Sequence, residues 1–354
     1  MDYKHGGNIH ILENRAEIID FSSNINPYGP PENFTKTIIK ACHSIDKYPD
    51  PNYNDIRNKI AETYDISSEY IVVGNGGIQV IHNAIEFLDF KKALIVVPTF
   101  VEYEKALKRF NKKFDYYYLK EENNFDLEID QLLSSDLSDI DLVIVCSPNN
   151  PTGNYVKKED LVRLTNRLNE LKINILLDEA FIDFLEDDVS MIDRVSDFSN
   201  LIITRSLTKF FAVPGLRLGF LVTRNNKLID KINKYRESWS VNIFANSMLL
   251  ELFENKKYID RTQKYIVEEG NRLYNQLIRI HGLHVFKPSV NYILFKSQKD
   301  ISWKMELLKY KILIRHCNNY VGLDEKFFRI AVKSKVDNSI LIKKMNRVME
   351  AFNE

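Results

Sequence analysis

Residues 205–220, RSLTKFFAVPGLRLGF, set a flexible ammonium, Lys209, beside Phe210, Phe211, Ala212 and Val213. Ser206 and Thr208 precede it and Arg217 follows. A lysine in such a setting has one of two uses. Its aliphatic stem lies on apolar neighbours while the ammonium stays in water. Otherwise the amine is buried, kept partly neutral, and attacks a carbonyl to form a Schiff base. The lysine alone does not choose between them, but the residues around it bear on the choice. Asp178 closes the apolar run INILLDEAF. A carboxylate there is an exposed strand end or the partner of a cationic ligand group, such as a pyridinium nitrogen. In SPNNPTG, Asn150 belongs to a turn, or to a turn that also aims an amide donor at a phenolate oxygen. GNGG (74–77) is a plain tight turn, or a nest of backbone N–H groups facing a phosphate. Ser206, Thr208 and Arg217 can add donors to the same anion. Phe100 is core, or it stacks on a ring.

These residues need elements to hold them. Short apolar runs alternate with amphipathic stretches from residue 70 to residue 223. YIVVG, KALIVVP, DLVIVCSP, INILLDEAF, LIITRS and RLGFLVT read as strands. Helical patterns fall at 32–43, 54–64, 78–88, 101–110 and 157–172. That alternation predicts a mostly parallel sheet covered by helices on both faces. Ligands of such sheets collect at the carboxyl ends of the strands. The loops there are GNGG, PTFVEY, SPNNPTG, DEAF and SLTK, and every residue singled out above except Arg217 lies in or beside one of them. Residues 1–31 read as irregular. Beyond about 240 the pattern shifts to longer helices and short strands such as NYILF and FFRIAV, an α+β lobe. The expected division is an N-terminal segment (1–45) serving the small domain and the dimer interface, a large domain (46–240) and a small domain (241–354).

Composition narrows the function. The 354 residues carry 49 basic and 49 acidic side chains, which argues against nucleic acid or an anionic membrane as partner. Three scattered cysteines without a CxxC point to a reduced, cytoplasmic setting rather than a disulfide framework. The polar N-terminus lacks a signal-peptide core, and no apolar run approaches the ~18 residues of a membrane span. His281 and His284 in HGLH read as a loop, and no metal site is expected.

Taken together and in this order, the motifs resemble the fold-type I pyridoxal-phosphate (PLP) enzymes, the aspartate aminotransferase superfamily, over nearly the whole chain. The resemblance implies a large domain with a seven-stranded, mostly parallel sheet and a smaller α+β domain. It implies that Lys209 is the catalytic residue, joined to the aldehyde of pyridoxal 5'-phosphate. Asp178 then pairs with the ring nitrogen, Asn150 bonds the ring oxygen, and Phe100 stacks on the ring. Gly76, Gly77, Ser206, Thr208 and Arg217 hold the phosphate. The superfamily forms homodimers with shared sites, and Tyr48 of KYPDPNY matches a tyrosine that reaches the other subunit's cofactor phosphate. Arg329 of FFRIAV matches the arginine that binds the substrate carboxylate. In one place the chain departs from the pattern: Ile78 and Gln79 in GNGGIQ offer the phosphate less than the acidic or hydroxyl residues usual there.

The cofactor set serves transamination and decarboxylation alike. Within the superfamily the chain resembles two families, the L-threonine-O-3-phosphate decarboxylases of cobalamin biosynthesis and the histidinol-phosphate aminotransferases. Four features favour the first: HGGN (5–8) with DFSSNINPYGP (20–30), Phe181 where the aminotransferases have tyrosine, ESWSVN (237–242), and ILIRHCNNYVGLDEKFFRIAV (312–332). The expected reaction is decarboxylation of L-threonine O-3-phosphate, a small phosphorylated amino acid, to (R)-1-amino-2-propanol O-2-phosphate. The alternative is amino transfer from histidinol phosphate to 2-oxoglutarate. Arg329 and Arg315 are the expected anion sites, with His5 and Asn24 as donors to the substrate phosphate. A DNA-binding regulator on the same fold is disfavoured, because neither a helix-turn-helix segment nor a basic excess is present.

Overall fold

The computed structural model describes residues 5–12, 15–186 and 188–353. Its main sheet has seven strands. From one edge the order is Ile71–Asn75, Leu218–Thr223, Leu201–Ser206, Asn174–Asp178, Leu142–Cys146, Lys92–Val97 and Lys113–Tyr118. Leu218–Thr223 runs antiparallel to both its neighbours, and the other four pairings are parallel. The inner strands are rich in Val, Ile and Leu and buried along their length, as a sheet covered on both faces requires. The last edge strand, KFDYYY, carries no periodic apolar signal in the sequence. It is half exposed, and its charges and aromatics do not make an apolar run.

The parallel strands finish level with one another. Cys146 pairs with Asp178, and Asp178 with Thr204. Helix Gly77–Phe87 follows the first strand directly, and helix Glu102–Arg109 follows PTF. Both pack on the same face and on each other. The strand ends and these helix starts therefore border one space.

Beyond residue 224, side chains of asparagine start three of the helices. Asn225, Asn242 and Asn255 accept from Leu228, Ala245 and Tyr258 N–H at 3.1, 2.9 and 3.1 Å, and so cap Asn226–Tyr235, Ile243–Leu252 and Lys256–Leu277. A four-stranded antiparallel sheet follows, in the order Arg315–His316, Phe327–Ala331, Tyr292–Ser297 and Leu283–Val285. The expected HGLH loop is thus partly strand. Gly282 turns at φ +83°, and His284 then pairs with Lys296.

Residues 1–31 are less irregular than their composition suggests. Ile19 and Asp20 pair in parallel with Ile312 and Leu313, and Ala331 N–H donates to Phe21 O at 2.8 Å. Two residues are too short for a periodic pattern, which is why the strand went unforeseen. Among the described residues no helix is long and apolar enough to cross a membrane, and no cluster of three His, Cys, Asp or Glu side chains could hold a metal.

Candidate active site

Lys209, Ser206, Gly77, Phe100, Asn150 and Asp178 line one cavity, together with Ile78, Cys146 and Phe181. It holds about 400 Å³ of empty space, part of it open to solvent. Lys209 Nζ donates to Ser206 Oγ at 2.8 Å and stands 5.6 Å from the centre of the Phe181 ring. Burial lowers the pKa of this amine from 10.5. Asp178 opposes the shift and Arg217 adds to it. The loop that carries Lys209 is pinned from the N-terminal segment. Asn26 N–H donates to Lys209 O at 3.1 Å, and Asn26 Nδ2 to Phe210 O at 2.7 Å.

Asp178 is buried at its strand end. Burial raises its pKa, while donors to its oxygens pull the other way. Those donors are Tyr103 Oη to Oδ2 at 2.5 Å, and Thr204 Oγ1 and Ala180 N–H to Oδ1, each at 3.1 Å. Sequence reading missed Tyr103. It stands three residues after Phe100, so on helix Glu102–Arg109 it turns toward the strand end that Phe100 overhangs.

At the other end of the cavity, Gly76 opens helix Gly77–Phe87 at φ +84°. A Cβ on Gly76 would stand 2.5 Å from Arg217 Nη2, so only glycine lets the guanidinium lie against this turn. Ser206 Oγ is 3.1 Å from Thr208 Oγ1. Gln79 is committed to the turn itself, its Oε1 accepting from Asn75 N–H at 2.6 Å, and Ile78 adds an apolar wall. The first N–H groups of a helix have no partner within it, so this end gathers backbone, hydroxyl and guanidinium donors.

Asn150 has a fixed orientation. Its Oδ1 accepts from Arg329 Nη1 and, at 3.3 Å, from Tyr320 Oη. A guanidinium only donates, so the amide oxygen faces the arginine and the NH2 end remains as the donor on the cavity side. Arg329 is buried, and Nη2 donates to Ser22 O at 2.7 Å. Arg315 lies directly opposite Arg329 on the paired strand, also buried. Both guanidiniums adjoin Tyr320, another residue that sequence reading passed over: Arg315 Cζ is 5.3 Å from its ring centre, and Arg329 Nη1 is 3.4 Å from its hydroxyl.

Three expected site residues lie farther out. His5 sits with its ring centre 5.8 Å from that of Phe100 and is bonded to Glu102. Asn24 is buried, and its Oδ1 has no hydrogen-bond partner among the described residues. Tyr48 is not in the cavity at all. It is 80% exposed, with its ring centre 4.7 Å from that of Trp239.

The cavity thus has an acid at one end, an anion cradle at the other, an amide donor at the side and a buried amine between them. That donor set fits a planar pyridine bearing an aldehyde and a phosphate. Residues 16–345 match the family described as aminotransferase class I and II, and the chain belongs to it. The fold is that of the fold-type I PLP transferases, and the family's cofactor is pyridoxal 5'-phosphate. The chain is 33% identical to the threonine-phosphate decarboxylase of Salmonella typhimurium over 351 residues, 98% of this chain and 96% of that one. The crystal structure of the histidinol-phosphate aminotransferase from Clostridium acetobutylicum is similar at a TM-score of 0.88 and 33% identity, over 94% of this chain and 99% of that one. That of L-threonine-O-3-phosphate decarboxylase from Porphyromonas gingivalis gives a TM-score of 0.85 at 23% identity, over 93% and 99%.

Proposed function

We propose that the chain is a PLP-dependent lyase that decarboxylates L-threonine O-3-phosphate to (R)-1-amino-2-propanol O-2-phosphate, a step of cobalamin biosynthesis. The observation that carries this reading is the pair of buried guanidiniums, Arg315 and Arg329, facing each other across paired strands beside Tyr320. The partners of Arg329 are neutral: an amide oxygen, a hydroxyl and a carbonyl. A buried cation held by neutral groups is costly until an anion arrives. Threonine phosphate brings a carboxylate and a phosphate at once, one for each arginine. Histidinol phosphate brings only the phosphate, although its acceptor 2-oxoglutarate also carries two anions, so the need for an amino acceptor decides between the readings. The similarity to a threonine-phosphate decarboxylase along the full length of both chains agrees with this. The aminotransferase reading draws on the 33% identity to the Clostridium structure, and it predicts a need for an amino acceptor.

Lys209, Asp178, Asn150, Gly76, Gly77, Ser206, Thr208, Arg217 and Phe100 are the residues proposed to hold the cofactor, which when bound supplies a sink for the electrons of a bond broken at the substrate Cα. Asp178 keeps a proton on the ring nitrogen. Arg329 holds the substrate carboxylate, and Arg315, His5 and Asn24 face its phosphate. The Cα–carboxylate bond breaks, carbon dioxide leaves, and the ammonium of Lys209 returns a proton to Cα. Tyr48, exposed in one protomer, serves the partner's site in a homodimer. The division 1–45, 46–240 and 241–354 agrees with the pairing of Ile19–Asp20 with Ile312–Leu313. The three free thiols suit the cytoplasm.

Purified enzyme should release carbon dioxide from L-threonine O-3-phosphate without any keto acid. Glutamate formed from histidinol phosphate and 2-oxoglutarate, with no carbon dioxide from threonine phosphate, overturns the assignment. Tyr103→Phe removes one donor to Asp178 and should weaken the ring-nitrogen contact. The expected loss is roughly tenfold in kcat/KM, the size of one hydrogen bond to a charged group. Steady-state kinetics beside a melting curve would show it, and unchanged kinetics would deny Tyr103 the role.

A further inference from the structure

The chemistry above makes no use of Glu102, a carboxylate only 2% exposed in the first turn of helix Glu102–Arg109. Three basic groups converge on it. Oε1 accepts from His5 Nε2 at 2.8 Å and from Lys105 Nζ at 3.1 Å, and Oε2 lies 3.6 Å from His82 Nε2. Arg109 stands behind His82, with Nη1 3.5 Å from Nδ1. Burial works against the charge, but the hydrogen bonds from His5 and Lys105, with His82 close by, outweigh it and hold the carboxyl well below its usual range. Glu102 is therefore a fixed anion placed beside Phe100.

His5 reaches Glu102 from 97 positions away in sequence, and the backbone behind it is equally constrained. A Cβ on Gly6 would collide with the Ser22 carbonyl, whose carbon would be 2.7 Å away, so this approach admits glycine alone. Gly7 N–H donates to Ser22 Oγ at 2.8 Å. Ser22 O in turn accepts from Arg329. Residues 5–7 thus form a strap tied through Ser22 to Arg329 and through His5 to Glu102, with the His5 ring centre 5.8 Å from that of Phe100, which lines the cavity.

We propose that Glu102 is a positioning residue: it anchors His5 by Nε2 and thereby presents the other ring nitrogen to the phosphate of the substrate. This rests on the reading of the substrate as a phosphorylated amino acid. A neutral imidazole donating from Nε2 would turn a lone pair toward the phosphate. Only the imidazolium donates to both anions, and Glu102 supplies the first of them.

The test uses holoenzyme of Glu102→Gln, His5→Gln, the double variant and Gly6→Ala, which breaks the strap without touching Glu102. Glu102→Gln and Gly6→Ala should each raise KM for L-threonine O-3-phosphate roughly tenfold with kcat within about twofold, the pattern of lost ground-state binding. The double variant should raise KM no further than His5→Gln alone, because the two side chains act as one unit. Hydrogen exchange across residues 5–12, measured without substrate, should accelerate in Glu102→Gln. Multiplying KM effects, a kcat that falls while KM stands still, unchanged KM in Gly6→Ala, or unchanged exchange in Glu102→Gln would each overturn the proposal. If the wild type releases no carbon dioxide from threonine phosphate, the reaction assignment fails, and the exchange data still decide whether Glu102 holds the strap.

Discussion

Lys209→Ala should abolish turnover, with kcat reduced by at least roughly 10⁴-fold, while the protein still folds and binds PLP. The amine lies between Ser206 and the Phe181 ring, and the proposed reaction uses it twice, as the covalent anchor and as the proton donor to Cα. Loss of a group that acts in more than one step costs more than any single contact. Asp178, Asn150 and the cradle at Gly76 and Arg217 do not depend on it, so non-covalent cofactor binding should persist. The borohydride-sensitive yellow colour should disappear, and turnover surviving in this variant would remove Lys209 from the chemistry. The pH behaviour of the apoenzyme offers a second check. Burial lowers the folded-state pKa of Lys209 below the unfolded value of 10.5. The unfolded chain then binds the extra proton between the two values, so stability rises with pH across that window. Below the folded pKa the penalty is fully present. Melting curves of wild-type apoenzyme should show this rise, and those of Lys209→Ala should lack it.

The parts of the site that were legible in sequence are those specified locally. Asp178 ends an apolar strand, Gly76 and Gly77 join a strand to a helix, and Lys209 follows a strand into an aromatic loop. In each case the neighbours within a few positions state the setting, and a parallel sheet carries all of them to the same edge. What sequence could not show depends on contacts between distant segments. Tyr103 meets Asp178 across 75 positions, Ser22 meets Arg329 across 307, and the buried Glu102 meets His5 across 97. As a sequence feature Glu102 is one acid in a charged helix, where exposure is the ordinary expectation. The strand Lys113–Tyr118 escaped for a different reason: an edge strand need not be apolar on either face.

Arg329 argues the same point through a substitution that preserves charge. Arg329→Lys should reduce kcat/KM for L-threonine O-3-phosphate by roughly 10²-fold, about 2.7 kcal/mol of transition-state binding, in line with a charged, buried hydrogen-bond site. The guanidinium spans three acceptors at once, with Nη1 on Asn150 Oδ1 and Tyr320 Oη and Nη2 on Ser22 O. Lysine is a point donor on a flexible stem and cannot bridge that spread. Two consequences follow for residues that the variant leaves intact. Asn150 loses the shorter of the two bonds that fix its amide, leaving only Tyr320 Oη at 3.3 Å, so its NH2 group is less firmly directed into the cavity. Ser22 loses the clamp on its carbonyl, and the Gly6–Gly7 strap rests on that residue. Arg329→Lys should therefore speed hydrogen exchange across residues 5–12, as Glu102→Gln does, but it should also weaken PLP binding, which Glu102→Gln should not. A lysine variant with wild-type PLP affinity and wild-type exchange would mean that Arg329 acts only by its charge, and the link from the carboxylate site to the strap would have to be abandoned.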